Sequence, residues 1–190
     1  MAQIAPWLER WGIPDLDSSS PWLKGISPKS FAADDFLVHA GDVGDTLYLL
    51  QSGLVRLFYT NPDGRERNKA FFRAGQITGP VSAAMTGSTA PFSIQALEPV
   101  EALAFPYSAM TAAAQENLAV ALASQQMLAE AFIRNEQRLA MLLTCNEEQL
   151  DQWLLDNEPD LTQRVPQFNI ASYLGIVAVS LSRLKRKNRQ

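Results

Sequence analysis

The feature that most constrains the fold is a change of sequence period near residue 107. From Ser108 through Leu155 the chain contains no glycine or proline, and alanine, glutamine, glutamate, methionine and leucine dominate. Apolar side chains recur there at alternating spacings of four and three, at Leu118, Leu122, Ala129, Phe132, Leu139 and Leu143, interrupted by Gln125 and Glu136. This pattern predicts a long helix over residues 108–143 that packs against its own domain or against the same helix of a second chain.

The preceding residues 31–106 contain short apolar or β-branched runs separated by turn residues. The runs are FLVH, TLYLLQ, LVRLFYT, KAFFR, FSIQAL and VEALAFP. Ser52–Gly53 is interpreted as a tight hairpin turn and Asn61-Pro62-Asp63-Gly64 as a type I turn, with no helix interrupting the strands. Many short, closely spaced strands are typical of a β-sandwich or barrel. The order of strands followed by helices indicates an α+β chain.

The first 30 residues are expected to contain one short amphipathic helix. Ile4, Trp7, Leu8 and Trp11 fall at helical spacing. Together with Trp22, the two tryptophans are expected to pack against the body of the domain.

Charge is distributed unevenly along the chain. The formal net charge is −4, yet from Leu161 onward there are six Lys or Arg residues and no acid. An acidic body with a basic end makes nucleic acid the first partner to consider.

The basic end has the pattern of two short helices joined by a glycine turn. Small Ala171 is followed four residues later by Gly175, and Ile170, Leu174, Ile176, Leu181 and Leu184 supply apolar inner faces. We expect a helix-turn-helix with helices at roughly 169–174 and 177–187. The DNA-contacting residues of the second helix are then predicted to be Ala178, Val179, Ser180, Ser182, Arg183, Lys185, Arg186 and Lys187. Arg183 is suited to bidentate contact with guanine, and the last three residues to phosphates.

The order of strands, long helix and helix-turn-helix resembles the Crp/Fnr family of bacterial transcription regulators. The likeness is carried by AGDVGDTLYLLQSGLVRLFYTNPDGRERNKAFFRAGQITG at residues 40–79 and by IASYLGIVAVSLSRLKRK at residues 170–187. It implies a cyclic-nucleotide-binding-like double-stranded β-helix, or jelly roll, with the N-terminal helix in residues 1–107. A dimerisation helix follows in residues 108–143, where Leu118, Leu122, Gln125, Ala129, Phe132 and Leu139 would meet a second copy. Residues 144–190 would form a small helix-turn-helix domain whose wing is truncated or missing.

The sequence departs from the family at the phosphate-binding cassette. The resemblance places an effector pocket at Gly75, Gly79, Pro80, Val81, Ala90, Pro91 and Phe92. The family's Gly-Glu pair becomes Gly79-Pro80, and its Arg-Ser/Thr pair falls near Ala90-Pro91. A buried anionic phosphodiester requires a cation or several N–H donors, and proline has no N–H. Cyclic AMP is therefore not the expected effector, and any small-molecule effector stays unidentified.

These features predict a homodimeric regulator that reads a palindromic site in double-stranded DNA. The alternative is a ligand-sensing or protein-interaction module with a degenerate helix-turn-helix that does not bind DNA. An enzyme is not expected, because nucleophile–base pairs are scarce with one histidine, His39, and one cysteine, Cys145. We expect no cofactor, no metal site and no membrane partner. The chain start shows no signal-peptide pattern, and the single cysteine excludes an internal disulfide, so a cytoplasmic protein is expected.

Overall fold

The computed structural model describes residues 4–16 and 20–187. The chain divides into two compact units. The first comprises Met1–Leu57 with Phe71–Phe132, and the second comprises Phe58–Ala70 with Ile133–Gln190. Within the described residues, no helix is both long enough and apolar enough to span a membrane.

Within residues 4–16 and 20–187, eight strands form two four-stranded sheets. The strands are β1 Ser27–Phe31, β2 Phe36–Val38, β3 Thr46–Ser52, β4 Leu54–Thr60, β5 Glu66–Arg73, β6 Ile77–Thr78, β7 Ser93–Ala96 and β8 Val100–Pro106. The sheet orders are β1-β8-β3-β6 and β2-β7-β4-β5. In the first sheet every neighbouring pair is antiparallel. The predicted β-sandwich or barrel is therefore confirmed as an antiparallel jelly roll.

The hairpin predicted at Ser52–Gly53 is wrong, because β3 and β4 belong to different sheets. The chain changes sheet at Gly53, which has φ +89°. A Cβ atom there would lie 2.5 Å from the Pro99 carbonyl oxygen, so both the backbone conformation and the close approach require glycine. The second predicted turn is present, since the Gly64 N–H donates to the Asn61 carbonyl at 2.9 Å between neighbouring strands β4 and β5.

The helices are α1 Ala5–Arg10, α2 Pro21–Lys24, α3 Val81–Thr86, α4 Tyr107–Glu116, α5 Leu118–Thr144, α6 Glu147–Asn157, α7 Leu161–Arg164, α8 Gln167–Leu174 and α9 Ala178–Lys187. Helix α3 contradicts the expectation that no helix interrupts the strands. It begins after Pro80 and ends at Gly87, whose φ of +69° terminates the helix in the left-handed region.

The single helix predicted over residues 108–143 is divided at Asn117. This residue has an extended backbone, and its side-chain oxygen accepts hydrogen bonds from the N–H groups of Ala119 and Val120 at 2.9 and 3.3 Å. Asparagine ends one helix and caps the next because its side chain satisfies the free N–H groups of the first turn. The predicted apolar seam therefore lies on α5, and α4 is a separate helix that precedes it.

The core of the first unit joins the jelly roll to its flanking helices. Trp11 stacks on Trp22 with ring centroids 6.3 Å apart, and Trp22 meets Phe105 of β8 edge-on at 5.9 Å. Val120 and Ala123 of α5 are buried in the same cluster. The expected packing role of the tryptophans is confirmed, and one face of α5 is anchored in this core.

Candidate nucleic-acid interface and effector pocket

The two predicted helices of the basic end are present as α8 and α9. Gly175, with φ +72°, ends α8 in the left-handed region, and its N–H donates to the carbonyls of the last turn. Ile170, Leu174 and Leu181 are almost completely buried between the helices, and Ile176 and Leu184 are half-buried. The apolar spacing thus dictates which faces turn inward and leaves the basic face of α9 outside.

The outer face of α9 lines a groove of about 480 Å³ within the second unit. Six of the eight residues predicted to contact DNA line it: Ala178, Val179, Ser182, Arg183, Lys185 and Arg186, joined by Gln167 from α8. Ser180 is half-buried and is not among the lining residues. The side chain of Lys187 lies outside the described residues.

The charged side chains that line the α9 groove are all positive. No acidic residue lines it, and in the described part of the chain Arg183, Lys185 and Arg186 make no ion pair. Val179 is 60 % exposed beside them. Cations without an internal partner, next to an apolar contact surface, are suited to phosphate oxygens and base edges.

A second groove, of about 510 Å³, lies between the tip of the β4–β5 hairpin and the helices α8 and α9 in the same unit. Its lining combines Arg65, Glu66, Arg67 and Asn68 of the hairpin with Phe168, Asn169, Ala171, Ser172, Ile176, Val177 and Ala178. Of these residues, only Ala178 had been predicted from the sequence to contact DNA. Phe168 and Val177 are 63 % and 65 % exposed, and the helical spacing of apolar residues in the sequence does not predict this exposure.

Hydrogen bonds hold the hairpin tip to α8. Buried Asn68 donates its side-chain amide to the backbone carbonyl and to the Oδ1 of Asn169, both at 3.0 Å. Its N–H donates to Ser172 Oγ at 3.0 Å, and Ser172 Oγ donates to the Glu66 carbonyl at 3.3 Å. These contacts join segments more than 100 residues apart in sequence.

Arg138 of α5 extends this contact. Its Nη2 donates to the carbonyls of Asn68 and Tyr173 at 3.1 and 2.6 Å, and its guanidinium lies 4.0 Å from the centre of the Tyr173 ring. The Tyr173 hydroxyl donates to Glu158 Oε1 at 2.8 Å. Burial, and secondarily the Glu158 carboxylate, raise the pKa of Tyr173. Burial lowers the pKa of Arg138 and, with the charge of Arg138, that of Lys69. We call Asn68, Arg138, Glu158, Asn169, Ser172 and Tyr173 the hairpin network.

The predicted dimer seam is exposed along the whole of α5. Leu118, Leu122, Phe132 and Leu139 are 75 %, 56 %, 65 % and 52 % exposed, and Gln125 and Ala129 are also exposed. The opposite side carries buried Val120 and Ala123. The seam therefore does not pack against its own domain.

The residues of the predicted effector pocket offer few donors to an anion. The Ala90 N–H donates to the Asp42 carbonyl at 2.8 Å, and the Val81 N–H to the Gly79 carbonyl at 3.0 Å. Pro80 and Pro91 have no N–H. Phe92 is buried and Pro91 is exposed.

The two glycines of that prediction serve different purposes. Gly79 has φ +151°, and a Cβ there would lie 2.6 Å from Leu47 Cδ2, so the space against β3 requires glycine. Gly75 contacts α1 instead: its carbonyl accepts a hydrogen bond from Arg10 Nη1 at 3.1 Å, and a Cβ there would lie 3.8 Å from the Trp7 ring.

The single histidine and cysteine show no catalytic arrangement. The His39 ring is exposed and stacks on Phe36 with centroids 4.2 Å apart, and Cys145 is half-buried at the end of α5. Across residues 4–16 and 20–187, no group of three or more His, Cys, Asp or Glu side chains is placed to hold a metal ion.

Residues 28–117 match the family model described as "Cyclic nucleotide-binding domain". This part of the chain, a little under half of its length, is thus similar to domains of the cyclic-nucleotide-binding class. The "Cyclic AMP receptor protein" of Thermus thermophilus is 38 % identical over 68 residues, which cover 36 % of this chain and 31 % of that protein. Lysophospholipases nte1 of three Aspergillus species match about half of this chain, which spans only 6 % of their length.

Several solved structures are similar to this chain over most of its length. FixK2 from Bradyrhizobium japonicum aligns with a TM-score of 0.74 at 20 % identity, covering 85 % of this chain and 83 % of that one. The c-di-GMP responsive global regulator CLP from Xanthomonas campestris aligns at 0.70 and 18 % identity, covering 91 % and 92 %. At 20 % identity or less these structures show the fold alone, and a transcriptional regulator of the Crp/Fnr family from Eubacterium rectale aligns likewise, with a TM-score of 0.72 at 17 % identity. The predicted resemblance to the Crp/Fnr family is therefore confirmed at the level of the fold.

Proposed function

We propose that this protein is a DNA-binding transcription regulator that acts as a homodimer on a palindromic site and does not respond to cyclic AMP. The observation that carries the proposal is the outer face of α9. Exposed Arg183 and Arg186 and half-buried Lys185 line one groove with small and hydroxyl side chains and, among the described residues, with no carboxylate. A helix of this kind, following a glycine turn, is the recognition helix of a helix-turn-helix.

The exposed seam of α5 supports the dimer. Four large apolar side chains at heptad spacing, each more than half exposed, are costly to leave in water. A parallel pairing with a second copy buries them in a coiled coil. A two-fold dimer presents two recognition helices, and successive major grooves on one face of DNA lie about 34 Å apart. The site is therefore expected to be palindromic.

The donors at the effector pocket support insensitivity to cyclic AMP. A cyclic phosphate buried beside Ala90 would need N–H groups, and those of Val81 and Ala90 are already bonded to backbone carbonyls. Breaking such a bond without a charged replacement costs about 1–3 kcal/mol per group. A different effector, or none, is expected.

A protein-interaction module is the second candidate. It is favoured by Phe168, Val177 and Val179, which are 60 % or more exposed on α8, the turn and α9. Exposed apolar clusters of this kind occur at protein interfaces. Binding of this type changes little with salt, whereas binding through phosphates falls steeply.

The test is a fluorescence-anisotropy titration against a pool of palindromic duplexes with random cores, at two salt concentrations, with and without cyclic AMP. We expect salt-sensitive binding that enriches one palindrome and is unchanged by cyclic AMP. Arg183→Ala should weaken the enriched site by about 5- to 150-fold, the equivalent of about 1–3 kcal/mol.

Arg164→Ala is the matched control, because Arg164 pairs with Asp160 and lies outside the α9 groove. It removes the same charge and should leave sequence preference unchanged. Absence of DNA binding under all conditions would refute the proposal and favour the interaction module.

A further inference from the structure

The tip of the β4–β5 hairpin presents two cations beside the start of α9. Arg65 directly precedes β5 and Arg67 is its second residue, so the two side chains lie two positions apart at the hairpin tip. Both are exposed, and within the described chain neither guanidinium makes an ion pair or a side-chain hydrogen bond. They line one groove with Val177 and Ala178, where α9 begins.

The tip is held in place and is not a free loop. Asn61 closes the turn twice, by accepting from the Gly64 N–H at 2.9 Å and by accepting from the Arg65 N–H with its side chain at 2.8 Å. Asn68, which follows Arg67, points to the opposite face and is buried against Asn169 and Ser172. The alternation within β5 therefore turns Arg67 away from the face on which buried Asn68 fixes the tip to α8.

We propose that Arg65 and Arg67 form a second DNA-contacting element that binds backbone phosphates next to the bases read by α9. This inference rests on the proposed function. It extends the proposed DNA-contacting surface from α9 to a hairpin in the jelly-roll part of the sequence. Two guanidiniums that line one groove, on residues about 6.6 Å apart along an extended chain, are donors of the type that holds phosphates bidentately. Such contacts contribute affinity and position without sequence preference.

Glu66 opposes this contact and provides a test of sign. It lines the same groove, so the three neighbouring side chains contribute two positive charges and one negative charge. Removing the negative charge is expected to strengthen DNA binding, and removing the positive charges to weaken it. A tip that merely supports α8 structurally would not respond in opposite directions to these two changes.

The experiment measures anisotropy binding of the full chain to its enriched duplex and to an unrelated duplex over a series of salt concentrations. Loss of two phosphate contacts in Arg65→Gln/Arg67→Gln should reduce the slope of log K against log salt by about 1.8 per protomer. Affinity for both duplexes should fall by the same factor. Glu66→Gln should raise both affinities, and Arg65→Lys/Arg67→Lys should keep the wild-type slope.

The matched control is Lys24→Gln/Lys29→Gln, which removes two exposed cations of the first unit that line neither groove. It should leave the slope unchanged. An unchanged slope in the arginine variant, with wild-type binding still dependent on Arg183, would overturn this inference and leave the proposed function intact. Failure of the wild type to bind DNA would overturn both.

Discussion

Replacing Arg138 by alanine is expected to loosen the second unit by about 3 kcal/mol. The change removes two hydrogen bonds from a charged donor, at 3.1 and 2.6 Å, each worth about 1.5–3 kcal/mol. It also removes the stacking on Tyr173 at 4.0 Å, worth about 1 kcal/mol for a half-buried cation on a buried ring. Relief of the burial of the guanidinium, whose Nη1 has no partner among the described residues, offsets part of this loss.

Hydrogen exchange of backbone amides is the appropriate assay, because three of the four tryptophans lie in the first unit and fluorescence would mix the two. Protection should fall in peptides covering residues 58–70 and 167–174 and stay constant in β3 and β8. Arg183→Ala serves as the control and should change protection by less than about 0.5 kcal/mol. A loss below about 1 kcal/mol for Arg138→Ala, or an equal loss in the first unit, would refute the reasoning.

Three further outcomes are expected. Gly53→Ala should lower the free energy of unfolding in urea by about 3 kcal/mol, because a positive φ and a carbonyl oxygen 2.5 Å from the new methyl group act together. Gly64→Ala is the control: the space around Gly64 is open, so the loss should be about 1 kcal/mol. Equal losses in the two variants would argue against the steric cause. Leu122→Asp/Phe132→Asp should convert a sedimenting dimer to a monomer, with Gln137→Asp, an exposed position off the seam, as the control; a persistent dimer would place the interface elsewhere. Because the folded state raises the pKa of Tyr173 above its ordinary 10.0, it keeps a proton that the unfolded chain releases, so stability should fall as pH rises above about 10. Tyr173→Phe should remove part of that fall in paired denaturation curves, and identical pH slopes for the two proteins would contradict the assignment.

Local chemistry made much of the second unit predictable. Helix α6 begins where Asn146 and Gln149 form a reciprocal capping box, and the glycine turn at residue 175 separates two helices whose inner faces follow the apolar spacing. These features depend on neighbours within a few residues. The division of the predicted long helix at Asn117 also has a local cause, since asparagine is a strong capping residue, but an otherwise uninterrupted helical composition concealed it.

The features that could not be predicted from the sequence depend on contacts between residues far apart in the chain. Ser52–Gly53 has the composition of a hairpin turn, yet β3 pairs with β8 and β6, and no local signal states which strand becomes a neighbour. The same holds for the hairpin network, where Asn68 meets Asn169 across 101 residues. Arg65 and Arg67 were therefore not identified from the sequence as candidate site residues. The sequence shows that Asn68 follows Arg67, but only the structure shows that Asn68 is buried.

The capped break at Asn117 has a consequence for how the chain tolerates insertions and deletions. Burial of Val120 and Ala123 fixes the rotation of α5 about its axis, and the exposed seam follows from that rotation. An extra residue in the joint before Leu118 lengthens a loop and leaves the seam in phase. One extra residue after Ala123 turns every later seam position by about 100°, so natural length variation in α5 should be confined to whole heptads.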